Sequence, residues 1–251
     1  MPVKSDYIAV FDSGVGGISV LRELVRLLPN ENYLYFGDSA NAPYGQKTTE
    51  QVRELTLSAA EMLMARGLKA LVVACNTATA AAIDALRERY PDTVIIGIEP
   101  ALKVAADHFP SKRVGVMATP VTLREEKFHH QLDRFPNMEV FSIPIAGLVE
   151  LIEAGGSIEE AEALLRPQLA PYIGKLDAVV LGCTHYPFAA EAISRILGTD
   201  TVLLDGGEGT ARETKRRLEN AGLLCDGPGS VQMENSLANP EILLRSMELL
   251  K

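Results

Sequence analysis

The chain has 251 residues, 47% of them hydrophobic and 23% charged, with a formal net charge of −9. That length holds one large domain or two modest ones around a substantial core, and the acidity argues against a nucleic-acid surface, which is ordinarily basic. No apolar stretch approaches the ~18 residues needed to span a bilayer. The opening MPVKSDYIAVF lacks the features of a signal peptide, so a cytoplasmic location is expected.

Taken in chain order, short apolar runs alternate with helical patterns. YIAVF (7–11) is the first predicted strand, followed by the glycine-rich turn FDSGVGGISVL (11–21). YLYF (33–36) is the second. Thr48-Thr49-Glu50-Gln51 then forms a capping box, and Gly67 closes the helix it opens. ALVVA (70–74), VIIGI (94–98), VGVMA (114–118) and EVFSI (139–143) are further strands. Ser157-Ile158-Glu159-Glu160 is a second capping box. AVVL (178–181) and TVLL (201–204) complete the predicted strands. KRRLENAG (215–222), the one compact basic cluster, reads as a solvated helix face. Asn239-Pro240 pairs an N-cap with Pro at the first helical position, opening a helix to the C-terminus. Most strands are apolar throughout, as parallel strands covered on both faces are. The class is α/β with mainly parallel sheets.

Two segments follow one plan. In ALVVACNTAT and AVVLGCTHYP a buried strand runs into a thiol, a nearby Thr and a helix. Asn76 and Thr77 are candidate caps for the first helix and Thr184 for the second, with Pro187 near its start. The economical organisation is two pseudo-symmetric α/β domains with the active site in the cleft between them. Crossovers near Glu99-Pro100 and Asp205-Gly206 put 1–99 plus 206–251 in the first domain and 100–205 in the second.

Three cysteines without a Cys-x-x-Cys spacing imply free thiols in a reducing compartment and no metal site. Ligands of open α/β sheets sit beyond the carboxyl ends of strands, where Cys75 and Cys183 both fall. A helix N-terminus there is expected to favour the thiolate. One buried cysteine is most simply a small core residue, but two at equivalent positions point to chemistry. Inverting a stereocentre needs a proton removed from one face and delivered to the other, which a thiolate and a thiol on opposed domains accomplish with little motion. Cys225, in LLCDG, has no such context and reads as structural or incidental.

The turn Gly14-Val15-Gly16-Gly17-Ile18-Ser19 invites a dinucleotide reading with Asp38 on the ribose, yet Ser19 stands where the third glycine belongs. Asp12, just before the glycines, would repel a pyrophosphate and suits an ammonium or a thiol. Asp12-Ser13 as a plain turn or N-cap is the alternative. His108, His129 and His130 lie on helical stretches without a partner motif. No lysine stands in a Schiff-base context, and Lys47 and Lys69 read as surface residues, so no pyridoxal cofactor is expected.

FDSGVGG, DSANAPYGQK (38–47), VVACNTAT (72–79), GLVE (147–150) and LGCTHYP (181–187) together resemble the glutamate racemases, cofactor-independent two-cysteine enzymes of bacterial cell-wall synthesis. The resemblance runs from about Ile8 to about Arg212. It implies that Cys183 takes the α-proton of L-glutamate and Cys75 returns one to the other face. It further implies Asp12 near Cys75 and His185 near Cys183 as proton assistants, with Glu150 beside that histidine. Ser13, Asn76, Thr77 and Thr184 would hold the α-ammonium and α-carboxylate. Pro43, Tyr44 and Gly45 would wall the γ-carboxylate, with Thr119 the better contact of the pair Thr119 and Thr122. Ala118, Arg124 and Gly206 depart from residues common in the family. A homodimer is the implied assembly. An aspartate or other acidic amino-acid racemase is the nearest rival. A binder of DNA gyrase with secondary racemase activity, a behaviour reported for some family members, is the rival of another class.

Overall fold

Strands that are apolar at every position need cover on both faces, and two parallel sheets meet that need here. The computed structural model describes residues 6–108, 113–124 and 126–251; the first five residues of the N-terminal stretch lie outside them. The order is β1 (Tyr7–Asp12), α1 (Ile18–Leu27), β2 (Asn32–Gly37), α2 (Thr49–Met64), β3 (Ala70–Val73), α3 (Asn76–Arg89), β4 (Val94–Gly97), α4 (Leu102–His108), β5 (Arg113–Ala118), α5 (Pro120–Arg124), α6 (Glu126–Asp133) and β6 (Glu139–Pro144). Then come α7 (Leu148–Glu153), α8 (Ile158–Leu169), β7 (Ala178–Leu181), α9 (Ala190–Leu197), β8 (Val202–Asp205), α10 (Gly207–Ala221), β9 (Ser230–Asn235) and α11 (Pro240–Leu250).

The sheets have strand orders β4-β3-β1-β2-β9 and β6-β5-β7-β8. All their pairings are parallel. In the first sheet Ala9, Phe11, Leu34, Phe36, Leu71 and Val73 pack on one face. Their neighbours Ile8, Val10, Tyr33, Tyr35, Ala70 and Val72 pack on the other. This is the period-2 alternation of a strand with both faces buried. Each fully buried aliphatic side chain in such a layer contributes roughly 1.5–3 kcal/mol.

All eight predicted strands are present, their ends within a residue of expectation. A ninth, β9, is added: SVQMEN pairs with β2 from Asn32↔Ser230 to Gly37↔Asn235. It is polar and half-exposed because it is an edge, so hydrophobic periodicity does not announce it. Both capping boxes form. Thr48 and Ser157 accept from the backbone N–H groups of Gln51 and Glu160, and those two side chains return the bond. Asn239 accepts from the Glu241 N–H at 2.9 Å and caps α11. Gly67 adopts φ 78°, in the left-handed region, just past the end of α2. No helix among the described residues is long and apolar enough to cross a membrane.

Lys69 is a correction. Placed on the surface by its residue type, it is only 4% exposed and ion-paired with the equally buried Glu31.

Candidate active site

The carboxyl ends of β1, β3, β5 and β7 converge on one cavity of about 360 Å³. Ser13, Pro43, Tyr44, Gly45, Cys75, Asn76 and Thr77 line it from the first sheet's side. Thr119, Glu150, Cys183, Thr184 and His185 line it from the second. Both sulfurs therefore open on the same space, one from each sheet, although each cysteine is largely buried, at 5% and 8% exposure.

The Cys75 side is built by β1 and the start of α3. Cys75 is itself the N-cap of α3: its Sγ accepts the Ala78 N–H at 3.4 Å and lies 3.5 Å from Ser13 Oγ. Asn76 and Thr77, expected as caps, are instead the first residues of the helix. Thr77 Oγ1 lies 3.1 Å from Thr119 Oγ1, which lies 3.1 Å from Thr122 Oγ1. Thr122 is thus held behind Thr119, off the cavity wall. Asp12 is fully buried. Its Oδ1 accepts the Gly14 N–H at 2.8 Å, and its Oδ2 accepts Thr184 Oγ1–H at 3.0 Å from the other sheet. Thr184 is therefore not a helix cap; its hydroxyl ties the halves together. Tyr44 donates to Asp38 Oδ2 at 2.7 Å, so Asp38 braces the loop wall.

The Cys183 side is a relay. Cys183 Sγ lies 3.7 Å from His185 Nδ1. His185 Nε2 lies 2.6 Å from Glu153 Oε1, and that same oxygen accepts the Val15 N–H at 2.7 Å. The carboxylate on the histidine is Glu153, not the expected Glu150. Glu150 sits one helical turn earlier on α7, at the cavity mouth, where its Oε1 accepts from Gln46 Nε2 at 2.6 Å. Nothing distinguishes the two glutamates of LVELIE by type; only the helix register does.

The two sides differ electrostatically. Burial, with the Asp12 carboxylate as a second cause, pushes the Cys75 thiol up to about 12. This reverses the expectation that the helix terminus would favour the thiolate: desolvation outweighs the Ala78 N–H bond. Burial opposes charge on His185, but the contacts with Cys183 and Glu153 outweigh it and hold the imidazole well above its ordinary value. Glu153 is desolvated too, yet its bonds to His185 and Val15 hold it below the usual carboxylate range. Burial raises Asp12.

The glycine-rich turn serves this relay. A Cβ on Gly14 would fall 1.9 Å from Glu153 Oε1, one on Gly16 2.3 Å from His185 Nδ1, and one on Gly17 2.6 Å from Asp12 Cβ. Side-chain-free backbone lets the relay and the Asp12 side chain pack against the turn between β1 and α1, and this accounts for the dinucleotide-like pattern.

The Asp/Glu/hydantoin racemase family model matches residues 8–214. The chain belongs to that family. The glutamate racemase of Clostridium botulinum is 48% identical over 256 aligned residues, which cover all of this chain and 99% of that one. The crystal structure of a Bacillus anthracis glutamate racemase isoform superposes with a TM-score of 0.86 at 31% identity, covering 99% of this chain and 95% of that one. The Francisella tularensis glutamate racemase, solved in complex with D-glutamate, gives 0.84 at 30% identity and covers 99% and 94%.

Proposed function

We propose that the chain is a glutamate racemase, interconverting L- and D-glutamate by proton transfer between two thiols without a cofactor. The observation that carries this is a single cavity onto which Cys75 and Cys183 open from separate sheets. Cys183, as thiolate, takes the α-proton of L-glutamate, and the Cys75 thiol delivers its proton to the opposite face. The sulfurs then exchange roles, and D-glutamate returns by the same path. The buried, protonated state of Cys75 suits the donor in this direction. The His185 cation lies beside the sulfur that must carry charge, and Glu153 fixes its ring.

The α-proton is weakly acidic, so the carbanion depends on fixed donors in a site shielded from water. Asn76 Oδ1 is buried without a hydrogen-bond partner, a ready acceptor for the α-ammonium. Ser13, Thr77 and Thr184 serve the α-carboxylate and ammonium. The Tyr44 and Gly45 backbone with Thr119 serves the γ-carboxylate. The same reading makes the protein a cytoplasmic homodimer that supplies D-glutamate for peptidoglycan. It takes 1–99 with 206–251, and 100–205, as the two domains.

Cys75→Ser and Cys183→Ser should each lower racemisation at least ~10²-fold with the fold retained. In D₂O, wild-type turnover should place deuterium at Cα. Full activity in Cys75→Ala, or racemisation without exchange, contradicts the reading. Assays of both enantiomers of aspartate separate it from the nearest rival.

A further inference from the structure

A second nucleophilic cluster lies at the opposite, amino-terminal ends of the first sheet's strands. Lys69, immediately before β3, directs its buried Nζ to three acceptors. They are the Glu31 carboxylate, the Leu223 carbonyl at 2.8 Å and Cys225 Sγ at 3.1 Å. Glu31 also accepts the Cys225 N–H at 3.0 Å. Three segments thus meet: the turn before β2, the start of β3, and the loop between α10 and β9. A structural ion pair does not call for sulfur here. A thiol is a weak acceptor for the third ammonium hydrogen, and a hydroxyl would serve better. Cysteine reactivity, more than packing, is what usually distinguishes such a position. Cys225 is also partly exposed, so a small oxidant can reach it.

We propose that Lys69 and Cys225 are an oxidation-sensitive pair that closes a reversible sulfur–nitrogen bond when the protein meets a hydroperoxide. In the first step the Cys225 sulfur attacks peroxide. An S–O bond forms, the O–O bond breaks, and the products are the sulfenic acid and water. In the second, Lys69 gives one proton to Glu31, and the neutral amine attacks the sulfenic sulfur. An N–S bond forms and the S–O bond breaks. Hydroxide leaves as water with the proton held by Glu31, and a second nitrogen proton passes to solvent. Sulfur is oxidised by two electrons, the peroxide is reduced to two waters, and the protein loses two hydrogens. A thiol reductant cleaves the bond and restores both side chains. The link joins positions 156 apart in the chain, so it constrains the unfolded ensemble. It acts on stability, away from the catalytic cavity.

The test is peptide mapping and thermal unfolding of the wild type and Cys225→Ser after stoichiometric hydrogen peroxide. A bonded Lys69 resists trypsin. The wild type should therefore yield segment 67–87 joined to 218–245, lighter than their sum by two hydrogens and separated by dithiothreitol. Its unfolding midpoint should rise by at least about 2 °C. Cys225→Ser, which keeps the Lys69–Glu31 pair, should show neither change. Cys225 oxidised while trypsin still cuts after Lys69, or Cys225 left as a thiol while Cys75 and Cys183 react, overturns the proposal. So does a link that retains an added oxygen.

Discussion

Burial keeps a proton on Cys75, and this can be measured without substrate. With the thiol pushed up to about 12, alkylation of Cys75 by iodoacetamide at pH 8 should run about 10³-fold slower than for an unperturbed thiol of pKa ~8.5. Peptide mapping over time gives the rate. The two glutamates of α7 offer a sharper comparison. Glu153→Gln removes the carboxylate charge beside His185 and should lower kcat/KM about 10²-fold. Glu150→Gln alters only the cavity mouth and should cost less than about 10-fold. Racemisation has an equilibrium constant of one, so kcat/KM must fall equally in both directions. Directionality shows instead in isotope effects. With Glu153→Gln, the effect from α-deuterated L-glutamate should rise, and that from the D-enantiomer should fall. The pair also makes stability depend on pH. His185 is raised, so its contribution is complete below its unfolded value near 6.5 and fades as pH climbs through the raised one. Glu153 is lowered, so its contribution is complete above its unfolded value near 4.5 and fades as pH drops through the lowered one. The destabilisation caused by Glu153→Gln should therefore peak between those two values in urea titrations. Of these features, the thiols and His185 were legible in the sequence. The identity of the histidine's partner and the direction of the Cys75 shift were not. One depends on helix register and the other on desolvation, and tertiary packing decides both.

Among the elements, the turn between β1 and α1 is tightly constrained. Gly16→Ala would drive a methyl into His185, so kcat/KM should drop at least ~10-fold while far-UV circular dichroism stays unchanged. The capping box of α2 belongs to folding. Thr48→Ala should cost ~1 kcal/mol, lowering the unfolding midpoint by roughly 2–4 °C with KM unaltered. Such boxes were legible because they are written within four consecutive residues, and apolar strands because both faces of each sheet are covered. β9 was not legible. Its partner β2 lies some two hundred positions upstream, and an edge strand needs no apolar face. Lys69 went astray for a similar reason, since Glu31 and the loop at Leu223 bury it only once the sheet has formed.

For the whole molecule, the bond from Thr184 to Asp12 and that from Val15 to Glu153 cross between residues 172 and 138 positions apart. The end of β1 and the turn after it are therefore braced against the Cys183 loop and α7. An acidic protein holds an acidic substrate in this scheme. Among the described residues His185 is the one cationic side chain lining the cavity, and neutral hydroxyls, amides and backbone N–H groups do the rest. The most direct measurement is the structure of the protein with glutamate bound. Cys75 and Cys183 Sγ should lie on opposite faces of Cα, each within about 3.5 Å of it. Both sulfurs on one face, or either one too distant to touch the α-hydrogen, would contradict the two-thiol account.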